Sequence, residues 1–162
     1  MKILGKRSLS SIIEKSLVIL LILGIFVTIS VGIWIILNWE KCMELILTKT
    51  IVIAYLSSFP VLVMVVEFIK IFQNLKNEKA FDKQNIKFLK VSYIASFIIC
   101  AIYLINTIIL LSKTIWIDTF VVYPMLMAIV AIVFFFFGIG LIVLTEIYKK
   151  AIQFKEENEL TI

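Results

Sequence analysis

Four long stretches of the sequence contain no charged residue, and they constrain the fold more than any other feature. They run from 16 to 39, 50 to 66, 91 to 112 and 119 to 145. About 20 helical residues cross a hydrocarbon core of about 30 Å, so each stretch can span a membrane once. The apolar fraction is 62%, which is more than one soluble domain of 162 residues can bury. The sequence therefore predicts an all-α integral membrane four-helix bundle.

The chain is predicted to form a single membrane domain over residues 1–162. Its spans are expected at about 16–37, 50–71, 91–112 and 123–145. The fourth uncharged run exceeds the membrane thickness, so its helix is expected to begin near Tyr123. Pro124 then falls in the first turn, where its missing N–H needs no partner.

Lysine and arginine residues predict the orientation. The N-terminal segment, the middle loop 72–90 with the adjoining Lys70, and the tail 146–162 together hold 13 of the 16 basic residues. In a four-span chain these segments all lie on one side, which the positive-inside rule assigns to the cytoplasm. Both termini are therefore predicted to be cytoplasmic. All three tryptophans then fall near the outer interface, where amphipathic rings prefer to lie.

The second span contains the polar features that are hardest to interpret. Pro60 is expected to kink the helix, with Ser57 and Ser58 helping to satisfy the freed backbone groups. Glu67 and Lys70 are one helical turn apart, which favours an ion pair at the headgroup level. The alternative is that Glu67 is an intramembrane carboxylate on a proton or cation path, because such groups are costly and usually functional.

Two other spans carry patterns that favour close helix packing. In the first span Gly24, Thr28 and Gly32 form a small-xxx-small face, and we expect the two glycines to matter because of their size. In the third span a polar stripe covers roughly 80° of arc. It contains Ser92, Ser96, Cys100, Tyr103 and Thr107, with Asn106 near its edge. We expect these two faces to meet as helix-packing contacts, and a solute path or quinone site is the alternative for the stripe.

The sequence lacks the residues that most enzymatic and metal sites require. It contains no histidine and only two cysteines, Cys42 and Cys100, which excludes Cys/His metal sites and histidine-dependent nucleophilic catalysis. The only two aspartates, Asp82 and Asp118, are predicted on opposite sides of the membrane, which excludes an aspartyl dyad. No phosphate-binding glycine loop is present. The sequence predicts a non-enzyme with no cofactor, no metal site and no direct nucleic-acid binding.

Short helix signals occur on the predicted cytoplasmic side. Asp82 is placed to cap the helix that leads into the third span, with Phe81 packing on Ile86 as a hydrophobic staple. Ser11 and Glu14 have the spacing of a capping box, which indicates a short interfacial helix before the first span.

The tail continues the helical pattern of the fourth span. Its apolar residues Ile147, Ala151 and Phe154 share one helical face. Three glutamates lie beyond them: Glu156, Glu157 and Glu159. Two interpretations remain open, a solvated helix end whose lysines meet anionic lipid and a docking surface for a protein partner.

Residues 77–90 and 151–162 resemble the bacterial domain of unknown function 2975 family of small four-helix membrane proteins. The resemblance covers about the last hundred residues. In that family a serine or threonine is common at the position of Asp82 and an aspartate at the position of Glu159, and both changes keep the local chemistry. The resemblance implies no established activity. Family genes often lie beside those of small helix-turn-helix regulators, which implies a membrane protein that controls a DNA-binding partner.

The resulting prediction is a non-enzymatic, multi-pass protein of the bacterial cytoplasmic membrane that binds and controls a small cytoplasmic helix-turn-helix regulator. The candidate partner-binding residues are Phe81, Asp82, Asn85, Glu156, Glu157, Asn158 and Glu159. One alternative is a small transporter or channel subunit that uses the third-span stripe, as a homo-oligomer. Another is a self-protection protein against a membrane-active peptide, for which the outer loops would matter more than the tail.

Overall fold

The computed structural model describes residues 9–40, 46–114 and 122–160, and this part of the chain is helical apart from short connections. Its helices are α1 (Leu9–Leu37), α2 (Ile46–Lys76), α3 (Lys83–Thr114) and α4 (Val122–Leu160). Each contains a segment long and apolar enough to cross a membrane. The all-α prediction with four long helices is confirmed. The predictions for Cys42 and Asp118 concern positions outside the described residues.

The helices extend beyond the predicted spans because charged residues continue them on both sides of the apolar runs. The connection between α2 and α3 is only residues 77–82, so most of the predicted loop 72–90 is helical. Helix α4 begins at Val122, close to the predicted start, and its 39 residues make it about 58 Å long. That length exceeds a hydrocarbon core of about 30 Å, so part of α4 must project from a bilayer that it crosses.

The start of α1 differs from its prediction. Helix α1 is continuous from Leu9, and Ser11 lies inside it rather than at a cap. The Glu14 carboxylate does not complete a capping box. Instead its Oε2 accepts a hydrogen bond from Lys76 Nζ at 2.8 Å, which ties α1 to the end of α2. Residues 9–15 are helical before the first span, as predicted, but they continue directly into it as part of α1, and the predicted cap at Ser11 is wrong.

The core is formed by α2, α3 and α4, with α1 at the edge. Helix α3 packs against both α2 and α4, whereas the extensive contacts of α1 are with α2. Met64, Ala95 and Ile99 form one buried cluster, and a second is formed by Ile71, Leu89 and Leu141. Only 6% of the apolar window of α1 is buried within the chain. In a membrane, lipid would cover most of this helix.

Pro60 lies inside an uninterrupted α2. A proline at this position leaves the carbonyl of Leu56 without its usual donor. The Ser57 hydroxyl donates to the carbonyl of Ala54 at 2.8 Å, and the Ser58 hydroxyl donates to that of Tyr55 at 2.6 Å. The two serines therefore bond to carbonyls next to the one that Pro60 affects, rather than replacing its donor.

The N-terminal end of α1, the 77–82 connection and the C-terminal end of α4 lie together, and we call this region the terminal end. Helix α2 stops there in a Schellman motif, in which the N–H of Lys79 donates to the carbonyl of Asn74 at 2.8 Å. The N–H of Glu78 donates to the carbonyl of Leu75 at 3.2 Å. Glu78 has a φ of 61°, a backbone conformation that glycine usually adopts. Hydrogen bonds from the Asn85 side chain to the carbonyls of Lys79 and Ala80 hold this turn.

Candidate functional site

Asn85 holds the 77–82 connection in place from inside. Its Oδ1 accepts a hydrogen bond from Asn74 Nδ2 at 2.8 Å, so the amide joins α3 to the last turns of α2. Its Nδ2 donates to the carbonyls of Ala80 at 3.0 Å and Lys79 at 3.3 Å. The residue is 0% exposed. A buried amide with these bonds cannot also contact a partner, so the candidate partner-binding role of Asn85 is wrong and its role is structural.

The residues next to Asn85 are exposed to different degrees. Asp82 is the N-cap of α3, because its Oδ1 accepts a hydrogen bond from the Gln84 N–H at 2.8 Å. This agrees with the capping predicted from the sequence. Phe81 precedes the cap, and 51% of its surface is exposed. An exposed aromatic ring at the start of a helix is available for contact with a partner or a lipid surface.

The last part of α4 has a packed face and an exposed face. Ile152 is buried, and Tyr148 packs against the cluster of Ile71, Leu89 and Leu141. The predicted apolar face of the tail points elsewhere: Ile147 and Phe154 are largely exposed, and the Phe154 ring is 65% exposed. The tail thus packs on α2 and α3 along one side while it presents apolar side chains on the other.

An ion pair joins the connection to the tail. Lys83 Nζ lies 2.7 Å from Glu156 Oε1, and both side chains are more than half exposed. An exposed ion pair of this kind adds little to the stability of the fold. Its importance is that it brings two segments of the chain into contact. It places the start of α3, next to Phe81 and Asp82, beside the tail residues that follow Phe154. Glu157 and Asn158 are also exposed there, whereas the side chain of Glu159 lies outside the described residues.

The terminal end carries most of the charge in the described chain. Its basic residues include Lys76, Lys79, Lys83, Lys87, Lys90, Lys149, Lys150 and Lys155. Several of its carboxylates are already paired with lysines, as in the Glu14–Lys76 and Glu146–Lys149 pairs. The surface of the terminal end is therefore mostly basic, with an acidic patch at the end of α4.

The polar stripe of α3 faces its neighbouring helices. The Ser96 hydroxyl donates to the carbonyl of Phe134 on α4 at 2.7 Å. The Tyr103 hydroxyl lies 3.2 Å from that of Ser57 on α2. Because Ser57 already donates to its own helix, the Tyr103 O–H is the donor in this contact. The stripe thus makes hydrogen bonds to both neighbours within the core.

The remaining stripe residues stay within α3. Ser92 is buried and donates to the carbonyl of Phe88, and Thr107 donates to that of Tyr103. Cys100 is a free, partly buried thiol. Asn106 is buried, and its Nδ2 meets no hydrogen-bond acceptor in the described chain. That amide is the one polar group of the stripe whose structural role the contacts do not explain.

The small face of α1 contacts α2. A Cβ added to Gly24 would lie 3.0 Å from Leu62 Cδ2, and one added to Gly32 would lie 3.1 Å from the Tyr55 ring. Thr28, between them, lines the same α1–α2 seam. The expectation that this face meets the α3 stripe is wrong, because α2 lies between the two.

Glu67 and Lys70 form an ion pair, as the sequence indicated. Lys70 Nζ lies 2.6 Å from Glu67 Oε1 and also 5.3 Å from the centre of the Phe88 ring on α3. Glu67 is 8% exposed. The pair lies about two helical turns before Lys76 of the Glu14–Lys76 contact, and Glu67 lies beside Leu21 and Ile25 in the uncharged part of α1.

Comparison with known proteins places the chain in a family. The model of DUF2975, described as a protein of unknown function, matches residues 15–162. The chain belongs to the DUF2975 family. The match covers nearly the whole chain, which is further than the resemblance of the last hundred residues. No curated protein and no solved structure matches the chain.

Sequence reasoning missed several contacts in this DUF2975 member. A Cβ added to Gly138 would lie 3.0 Å from the Phe97 ring, which makes Gly138 a packing glycine between α3 and α4. The Asn74–Asn85 and Lys83–Glu156 contacts were also missed, because each joins residues from different helices. The sequence signal for Gly138 is that it lies in an aromatic-rich stretch. A residue without a side chain in such a stretch leaves space for an aromatic ring from another helix.

Proposed function

We propose that this DUF2975 protein is a non-enzymatic membrane protein whose terminal end binds a small cytoplasmic helix-turn-helix regulator. The observation that carries the proposal is the Lys83–Glu156 ion pair, which joins the start of α3, next to the α2–α3 connection, to the tail. These are the segments on which the family resemblance was recognised. A surface built from two separate segments can recognise a folded partner, whereas a free tail offers only a short peptide.

The acidic patch at the end of α4, within the otherwise basic terminal end, fits a basic partner. Exposed Phe81 and Phe154 supply aromatic side chains of the kind that anchor protein interfaces. Glu157 and Asn158 extend the acidic patch at the end of α4. DNA-binding proteins carry positive surfaces, so a carboxylate patch would attract one and would compete with its binding to DNA.

The proposal includes an orientation and a location. The terminal end holds most of the lysines of the described chain, and the positive-inside rule favours a cytoplasmic position for it. The protein is therefore proposed to cross the bacterial cytoplasmic membrane four times with both termini inside. A transport role has less support, because Ser96 and Tyr103 of the stripe are already hydrogen bonded to neighbouring helices.

An affinity pull-down from native membranes in mild detergent tests the proposal. We expect full-length protein to recover a small helix-turn-helix protein, and a variant that lacks residues 156–162 to lose it by about tenfold or more. The deletion leaves Tyr148 and Ile152 in place, so insertion and packing of α4 should be unchanged.

The matched control for the deletion is Glu146→Gln. It removes one exposed carboxylate from the same helix, away from the acidic patch, and should leave recovery unchanged. Equal recovery of a helix-turn-helix protein with the deletion variant, or recovery of none with the full-length chain, would contradict the proposal.

A further inference from the structure

A groove of about 290 Å³ lies between α1 and α2. Its lining residues are Leu21, Ile25, Leu62, Val63, Val66 and Glu67. The volume is close to the lower limit for small-molecule sites, which is about 300 Å³. All of the lining is aliphatic except for Glu67, so the groove combines an apolar wall with one carboxylate group, which is ion-paired with Lys70.

The Glu67 carboxylate retains capacity for a second cation. Its Oε1 accepts the hydrogen bond from Lys70, and within the described chain no donor is found for Oε2. Lys70 Nζ also lies 5.3 Å from the centre of the Phe88 ring of α3, and Lys70 is not among the residues that line the groove. A cation that enters from the α1 side can therefore approach Glu67 without displacing Lys70. An apolar wall strengthens such an attraction, because little water screens it.

We propose that this groove binds a single-chain amphiphile whose cationic nitrogen is joined directly to its alkyl chain, as in a long-chain alkylammonium. The alkyl chain would lie along Ile25, Leu62 and Val63, and the ammonium would donate to Glu67 Oε2. A zwitterionic phospholipid fits less well, because its phosphate lies between its chains and its amine and would face the carboxylate. The groove would thus distinguish amphiphiles by the position of the charge along the molecule as well as by the sign of that charge.

Native mass spectrometry of the full-length protein in a neutral maltoside detergent tests this site, with dodecylammonium as the probe. We expect one dodecylammonium to bind per chain at saturation, while dodecyl sulfate and dodecylphosphocholine of the same chain length bind at least about tenfold more weakly. Equal binding of the three amphiphiles, or no binding of dodecylammonium, would overturn the proposal.

Two variants separate the charge from the shape of the groove. Glu67→Gln keeps the side-chain volume and should weaken dodecylammonium binding by about tenfold or more. Val63→Phe leaves the Glu67–Lys70 pair intact and fills the groove, so it should also weaken dodecylammonium binding. If Glu67→Gln fails to fold, the Val63→Phe variant decides the test. Glu146→Gln, which removes an exposed carboxylate on α4 away from the groove, is the control and should bind as the wild type does. Unchanged binding in both groove variants would overturn the proposal.

Discussion

Replacing Asn85 with alanine is expected to lower the free energy of unfolding by roughly 3 kcal/mol. The change removes one hydrogen bond from Asn74 and two to the carbonyls of Lys79 and Ala80. It also leaves a void, because Asn85 is fully buried. The 77–82 connection would lose its internal support, next to the unfavourable φ of Glu78. Unfolding of the purified protein in mixed micelles measures the effect.

The control for this variant is Gln84→Ala, one residue earlier in α3. Gln84 is exposed, and its contact with Asp82 uses the backbone N–H, which alanine keeps. A change within about 0.5 kcal/mol is therefore expected. A similar loss of stability for both variants would show that the connection is not held by the Asn85 amide.

Replacing Gly32 with leucine is expected to destabilise the chain by about 2 kcal/mol, because the new side chain would overlap the Tyr55 ring. Among the described residues, α1 has extensive contacts only with α2, so no other interface there compensates for the separation. Gly24→Leu should act in the same direction through Leu62. The melting temperature in a neutral detergent measures the loss.

Gly140→Leu provides the matched control on α4. A Cβ added to Gly140 meets no atom within 4 Å, so the new side chain would enter open space at the surface of the bundle. We expect the melting temperature to stay the same or rise slightly, since leucine has a higher helix propensity than glycine. If Gly32→Leu melted at the temperature of the wild type, close approach of α1 to α2 would not be needed for stability.

The helices could be predicted from the sequence because their signals are local. Uncharged runs of about 17 residues or more indicate spans whatever their neighbours are, and Asp82 caps a helix that begins at the next residue. The ends of the helices were harder to predict, because lysine and glutamine have a high helix propensity and continue a helix beyond its apolar residues. Residues 72–76, which extend α2, were therefore assigned to a loop.

Which helices meet could not be predicted, because helices that are apolar on every face do not indicate a partner. The face of Gly24 and Gly32 was recognised from its spacing, yet its neighbour is α2 rather than α3. Gly138 and Gly140 are two residues apart and look alike in sequence, although one faces Phe97 and the other faces open space. Asn85 looked like an exposed polar residue because its partner Asn74 lies on another helix.

The central claim is that the terminal end, where Phe154 is exposed on α4, contacts a regulator, and cross-linking in native membranes tests it most directly. A photoreactive phenylalanine analogue at position 154 should cross-link to a small helix-turn-helix protein. The same analogue at Phe136, an exposed residue in the apolar part of α4, should not. The absence of any such cross-link at position 154, or the same cross-link at both positions, would contradict the claim.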